Sequence, residues 1–274
     1  MRNRRVRVRT VALAAVGAAL LGATLTPLAS ADSGPAKAKP TVVLEHGAFA
    51  DASGWNGVAK RLQHDGYTVI APANPLRGLP EDSAYLTSVL KSVQGPVVLV
   101  GHSYGGAVIT QAAAGNPQVK ALVYIAALMP EKGEVLGALT ARSTQAQLQP
   151  ALKPVPYANA DGTGGTDLYI DPARFHDVFA ADVPTSETNL MAAEQRPVTA
   201  ATFASTASAA AWHTIPSWAM IATQDKTLGA DVERFEAKRA GSHTVEVDSS
   251  HVAMISHPAA VTHLIEDAAR STSH

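Results

Sequence analysis

Residues 97–114 read Val-Val-Leu-Val-Gly-His-Ser-Tyr-Gly-Gly-Ala-Val-Ile-Thr-Gln-Ala-Ala-Ala. The apolar run Val97 to Val100, bounded by Gly95-Pro96 and Gly101, predicts a buried strand. Tyr104 to Ala114 is built of small and apolar residues and predicts a helix. Only Gly101-His102-Ser103 joins the two, so the chain must turn sharply at Ser103. Side chains at 101 and 105 would collide across such a turn, which accounts for the two glycines. The serine is left on a strained backbone, facing the N–H groups and positive dipole end of the helix that follows. A strand followed by a helix is one unit of the strand–helix alternation that builds parallel sheets.

The rest of the chain agrees. Thr41 to Glu45 and Thr68 to Ala71 read as strands, the second closed by Pro72. Between them, Ser53 to Gln63 carries Trp55, Val58, Ala59 and Leu62 at helical spacing. Glu81 to Ser92 predicts a helix, and Val119 to Ala126 a strand before Pro130. After a long interruption come a strand at Ser217 to Thr223, a helix at Gly229 to Ala240, a strand at His243 to Val247 and a helix at Pro258 to Ala269. Such alternation implies an α/β fold, a mostly parallel sheet covered by helices on both faces. The core is expected from 41–130 and 213–274. Residues 131–212 lack obvious strands, and they are read as a mainly helical cap over the carboxyl edge of the sheet. Gly162 to Gly165 lacks the Lys-Ser/Thr of a phosphate loop and is read as a flexible cap segment.

The first 31 residues have the form of an export signal. Arg2, Arg4, Arg5, Arg7 and Arg9 precede an apolar run from Val11 to Leu25, and Ala29-Ser30-Ala31 supplies the cleavage pattern. The run is shorter than the roughly 20 residues of a membrane span. Residues 32–40 form a polar linker. A secreted protein, free of the membrane once the signal is removed, is the expectation. Without those five arginines the chain has 17 basic against 23 acidic residues, too acidic a body to hold nucleic acid. The absence of cysteine excludes thiol catalysis, thiolate zinc sites and iron–sulfur clusters. No pair of histidines has zinc-site spacing with a carboxylate, so no metal is expected.

A serine hydroxyl is a weak nucleophile that needs an adjacent base. In a fold of this kind the acid and then the histidine follow the serine in the chain. His251 lies between the strand ending at Val247 and the last helix, and is the expected base. Asp225 follows the strand from Ser217 and can hold the imidazole in its useful tautomer. Asp248 and Glu131 are the rivals for that role. Oxyanion donors are expected in the backbone N–H groups of Tyr104 and Ala48, with Phe49 as second choice for the latter. Phe49, Met129, Trp212, Val252 and Met254, and more loosely Tyr124, are candidates for a largely apolar pocket. For Tyr157, Phe175 and Phe179 ordinary cap packing is the expected role. Ser88-Val-Leu-Lys91 matches S-x-x-K but lacks its partner motifs.

The segment Thr41-Val-Val-Leu-Glu-His-Gly-Ala-Phe, the turn Gly-His-Ser-Tyr-Gly-Gly, the late Asp225 and Ser250-His251 together resemble the α/β-hydrolase superfamily. More narrowly, they are similar to its compact branch, which holds hydroxynitrile lyases, methyl salicylate-type esterases and many bacterial esterases. The resemblance covers about 41–128 and 215–270. It implies a sheet opening on the family's third strand, with the cap inserted after the sixth, and no cofactor. The lyases carry a lysine after the catalytic histidine and a threonine in the oxyanion loop. Here those positions are Val252 and Gly47, as in the esterases of the branch.

The resemblance therefore implies a carboxylic ester hydrolase working through an acyl-enzyme on Ser103, and the largely apolar candidate pocket points to small to medium uncharged esters. The alternatives are a lyase, perhydrolase or carbon–carbon bond hydrolase using the same three residues. A binding protein that keeps the fold without turnover is a third reading.

Overall fold

A computed structural model describes residues 39–272. The expected export signal, most of the linker 32–40 and His274 lie outside the described residues.

The strands in chain order are β1 (Thr41–Glu45), β2 (Val69–Ile70), β3 (Val97–Ser103), β4 (Val119–Ala127), β5 (Leu152–Ala158), β6 (Gly164–Ile170), β7 (Val198–Thr199), β8 (Ser217–Ala222) and β9 (His243–Val247). The helices are α1 (Asn56–His64), α2 (Leu79–Ser92), α3 (Tyr104–Ala112), α4 (Leu136–Thr140), α5 (Pro172–Phe179), α6 (Thr185–Glu194), α7 (Ala201–Ala204), α8 (Ala230–Ala240), α9 (Ala253–Ser256) and α10 (Pro258–Ser271).

Six strands form one parallel sheet in the order β2-β1-β3-β4-β8-β9. All seven residues of β3 are buried, as a central strand covered on both faces must be. Helices α2 and α3 pack together, with α3 on β1, β3 and β4, while α1 and α10 pack together, with α10 on β3, β4 and β8. The helical cover follows from local chemistry. Helix α10, for example, opens on Pro258 and buries Val261, Leu264, Ile265 and Ala268 along one stripe.

Between β4 and β8, where the cap was expected, helices α4 to α7 are accompanied by a three-stranded antiparallel sheet, β5-β6-β7. The sequence pattern missed these strands for a physical reason. β5 is exposed at most positions and contains Pro154 and Pro156, so it has neither an apolar face nor strand composition. The glycine-rich segment read as flexible runs from the hairpin turn, where Asn159 N–H donates to the Thr163 carbonyl at 2.7 Å, into β6, where Gly164 and Gly165 pair with Ala158 and Tyr157.

Candidate active site

Strand β3 runs straight into α3 through Ser103, whose φ of 54° and ψ of −126° lie outside the usual regions for a residue with a side chain. The turn is closed so tightly that a Cβ on Gly101 would lie 2.7 Å from the Gly105 carbonyl oxygen. Tyr104 opens α3, so its N–H is one of the donors that a helix start leaves without an intrahelical acceptor. Its phenol donates to Asp82 Oδ2 at 2.6 Å, which pins the start of the helix from behind.

The loop after β1 meets this turn from the other side. A Cβ on Gly47 would stand 2.6 Å from Ser103 Cβ, so only glycine lets the loop approach. The loop is held by His46, whose Nδ1–H donates to the Gly47 carbonyl and whose Nε2 accepts from Asn74 N–H, both at 2.9 Å. Burial keeps His46 below its ordinary value, consistent with that neutral tautomer. The N–H of Phe49 is committed to the Arg196 carbonyl of the cap at 3.0 Å, which removes the second-choice oxyanion donor. Ala48 and Tyr104 both border the cavity that Ser103 faces.

Asp225 and His251 follow the ends of β8 and β9, and the two loops are stitched by Gln224 N–H on the Ser249 carbonyl. His251 Nδ1–H donates to Asp225 Oδ2 at 2.6 Å, and both side chains are fully buried. Asp225 Oδ1 accepts from the N–H groups of Thr227 and Leu228 at 2.6 and 3.1 Å. Burial pushes the Asp225 carboxyl up, but the charge and hydrogen bond of His251 outweigh it and hold the acid below its ordinary value. His251 Nε2 is buried without a hydrogen-bond partner, so the imidazole–hydroxyl contact is open in this state. Such contacts often tighten only when substrate binds. The rivals point elsewhere. Asp248 accepts from Gln224, and Glu131 pairs with His213.

His102 and Phe179 frame the imidazole. Their ring centroids lie 4.7 and 5.1 Å from that of His251, and His102 Nε2–H donates to the His251 carbonyl at 2.9 Å. Ser250 donates to Asp182 of the cap, so the cap also braces the histidine loop. No local signal pointed to these contacts: His102 was legible only as a neighbour of the nucleophile, and Phe179 as cap packing.

Two cavities adjoin the site. An inner one of about 30 Å³ is bounded by Ser103, Ala48, Tyr104 and apolar side chains including Leu128, Leu136 and Leu148. An outer one of about 450 Å³ is bounded by Val252, Met254, Phe179 and the acidic Asp51, Glu187 and Glu194. Phe49 borders both, with a φ of 63°. Of the expected pocket residues, Phe49, Val252 and Met254 thus line cavities. Met129, Trp212 and Tyr124 line neither. Met129 and Trp212 are buried, and the indole N–H bonds the Pro130 carbonyl, while the Tyr124 hydroxyl pairs with Thr110. The places of Tyr124 and Met129 in and just after β4, and of Trp212 ahead of β8, were legible, but the direction of their side chains was not.

A sequence model described as the alpha/beta hydrolase family matches residues 42–264. A carbendazim hydrolyzing esterase from Nocardioides sp. (strain SG-4G) is 36% identical over 110 residues, 35% of this chain and 46% of that protein, so the chain spans less than half of this relative. The alpha/beta hydrolase nvfD of Aspergillus novofumigatus (strain IBT 16806) is 25% identical over 84% of this chain and 97% of its own. Among solved structures, polyneuridine aldehyde esterase superposes with a TM-score of 0.73 at 20% identity, covering 84% of this chain and 98% of its own. A pyrethroid hydrolase from Sphingobium faniae JZ-2 does so at 0.70 and 22%, covering 85% of this chain and 98% of its own. At these identities the structural likeness speaks for the fold.

Proposed function

Because the chain belongs to the alpha/beta hydrolase family, we propose that it is a serine-type carboxylic ester hydrolase working through an acyl-enzyme on Ser103. The observation that carries this reading is the fully buried Asp225–His251 pair, whose imidazole packs against His102 of the strained turn bearing the serine and whose Nε2 has no hydrogen-bond partner. In the proposed reaction His251 Nε2 takes the Ser103 proton as Oγ attacks the ester carbonyl. The N–H groups of Ala48 and Tyr104 stabilise the oxyanion. The proton returns to the departing alcohol, and water, activated by the same imidazole, releases the acid.

The small apolar inner cavity supports esters with a short, uncharged acyl group. The acidic side chains around the outer cavity disfavour anionic substrates. The names of the relatives, a carbendazim hydrolyzing esterase among them, support ester-type substrates.

The test is turnover of a panel of p-nitrophenyl acyl esters together with fluorophosphonate labelling. Ser103→Ala is expected to lower kcat by about 10⁴-fold or more and to abolish the covalent adduct. Turnover by that variant within tenfold of the parent protein excludes the proposal.

A further inference from the structure

Phe49 stands where the two cavities of the site meet. Among the described residues it is the one that borders both, the inner cavity of about 30 Å³ and the outer one of about 450 Å³. It is buried, and its φ of 63° lies in the left-handed region that residues with side chains rarely adopt. The surrounding fold keeps it there. Its N–H donates to the Arg196 carbonyl at 3.0 Å, and its ring meets that of Phe179 edge to face at 6.4 Å between centroids. Backbone strain held in place beside a reacting group points to a side chain whose direction matters.

The proton relay decides which half of an ester belongs on which side. In the proposed reaction the departing alcohol oxygen takes its proton from His251 Nε2. Two residues flank that imidazole, Val252 next in the chain and Phe179 with its ring centroid 5.1 Å away. Both line the outer cavity and not the inner one. Ser103, Ala48 and Tyr104, which hold the acyl carbon and its oxyanion in that reaction, line the inner cavity and not the outer. The acyl chain therefore runs inward, and the alcohol runs outward past Phe49.

We propose that Phe49 is a specificity-determining residue: its ring is the wall that keeps the inner cavity small, so that the preferred esters join a short acyl group to a long or bulky apolar alcohol. This rests on the proposed roles of Ser103 and His251. The outer cavity suits such an alcohol, with Phe179, Met191, Val252, Met254 and Ile255 in its wall. Removing the Phe49 ring joins the two spaces and lets a longer acyl chain enter.

The experiment uses two isomeric esters, hexyl acetate and ethyl hexanoate. They have the same atoms and similar leaving alcohols, and differ in which side carries the long chain. The parent protein is expected to favour hexyl acetate in kcat/KM by about tenfold or more. In Phe49→Ala that preference is expected to shrink by about tenfold. Phe49→Leu, which keeps a branched apolar side chain, is expected to shrink it by about threefold, and it decides the matter if the alanine variant does not fold. A Phe49 that merely packs would lower both rates together and leave their ratio alone. An unchanged or widened preference in the variants overturns the proposal, as does a parent protein that does not favour hexyl acetate.

Fluorophosphonate labelling at Ser103 keeps the two readings apart. No labelling of the parent protein defeats the proposed function. Labelling together with an ester preference that ignores the side chain at position 49 defeats only the role of Phe49.

Discussion

His102 presses its ring against His251 at 4.7 Å between centroids and donates from Nε2 to the His251 carbonyl at 2.9 Å. One contact thus ties the turn that carries Ser103 to the loop that carries the histidine, across 149 positions of sequence. Burial, and then the neighbouring His251, keep His102 well below its ordinary value, so it stays neutral beside a group that must become cationic in the proposed reaction. A permanent cation there would oppose the imidazolium.

Replacing His102 by alanine removes the bond and the ring contact and leaves a buried carbonyl unpaired. The expected loss is about 1–3 kcal/mol in stability and on the order of 10–100-fold in kcat/KM, because the histidine loop is no longer fixed. Thermal unfolding and ester hydrolysis measure the two effects. Unchanged activity would mean that the loop is held by its other contacts, those to Asp225 and Asp182.

Gly47 offers a sharper test of the proposed oxyanion loop. A Cβ there would meet Ser103 Cβ at 2.6 Å and the His102 carbonyl oxygen at 2.8 Å. The second of these is backbone and cannot rotate away. Gly47→Ala is expected to push the loop off and misplace the Ala48 N–H. Loss of one oxyanion donor lowers kcat by about 10²–10³-fold. Steady-state kinetics check this, with KM changing less than kcat.

Glu236 should make stability depend on pH. It is fully buried, accepts Met129 N–H at 2.8 Å through Oε1, and its carboxyl is pushed up to about 8, chiefly by burial. Below its ordinary value of 4.5 both folded and unfolded chains hold the proton. As pH rises from there, the unfolded chain releases its proton while the folded chain keeps it, so stability falls until pH reaches about 8. In Glu236→Gln this contribution to the slope is absent. The melting temperature of the variant relative to the parent is expected to rise steadily between pH 5 and pH 8. Glu45 and Glu233 are shifted in the same direction and leave some slope in the variant. A constant difference across the window would show that Glu236 is already ionised at pH 5.

The sheet and the site were legible to different depths. The alternation of apolar runs and helical stripes fixed the core elements to within a few residues, because burial in a parallel sheet demands that pattern at each strand. The sharp turn was written into Gly101 and Gly105, since a Cβ at either would lie 2.7 Å from a backbone oxygen. The placing of Asp225 and His251 after consecutive strands was also readable. The hairpin of the cap was not, because Pro154 and Pro156 lie in a strand exposed at most positions, where packing imposes no code. The ring of Phe179 on His251 was not, because its partner comes from a distant loop.

By itself the sequence determined where the chain turns from strand to helix and which hydroxyl, imidazole and carboxylate follow strand ends. Those are outcomes of local sterics and of periodic burial, which act over a few residues. The tertiary structure alone decided in which direction each buried acid is shifted. Asp225 and Glu233 are both acidic and both buried, yet one is held below its ordinary value and the other well above it. Protonation depends on desolvation and on the donors that the fold delivers, and no local run of residues encodes either.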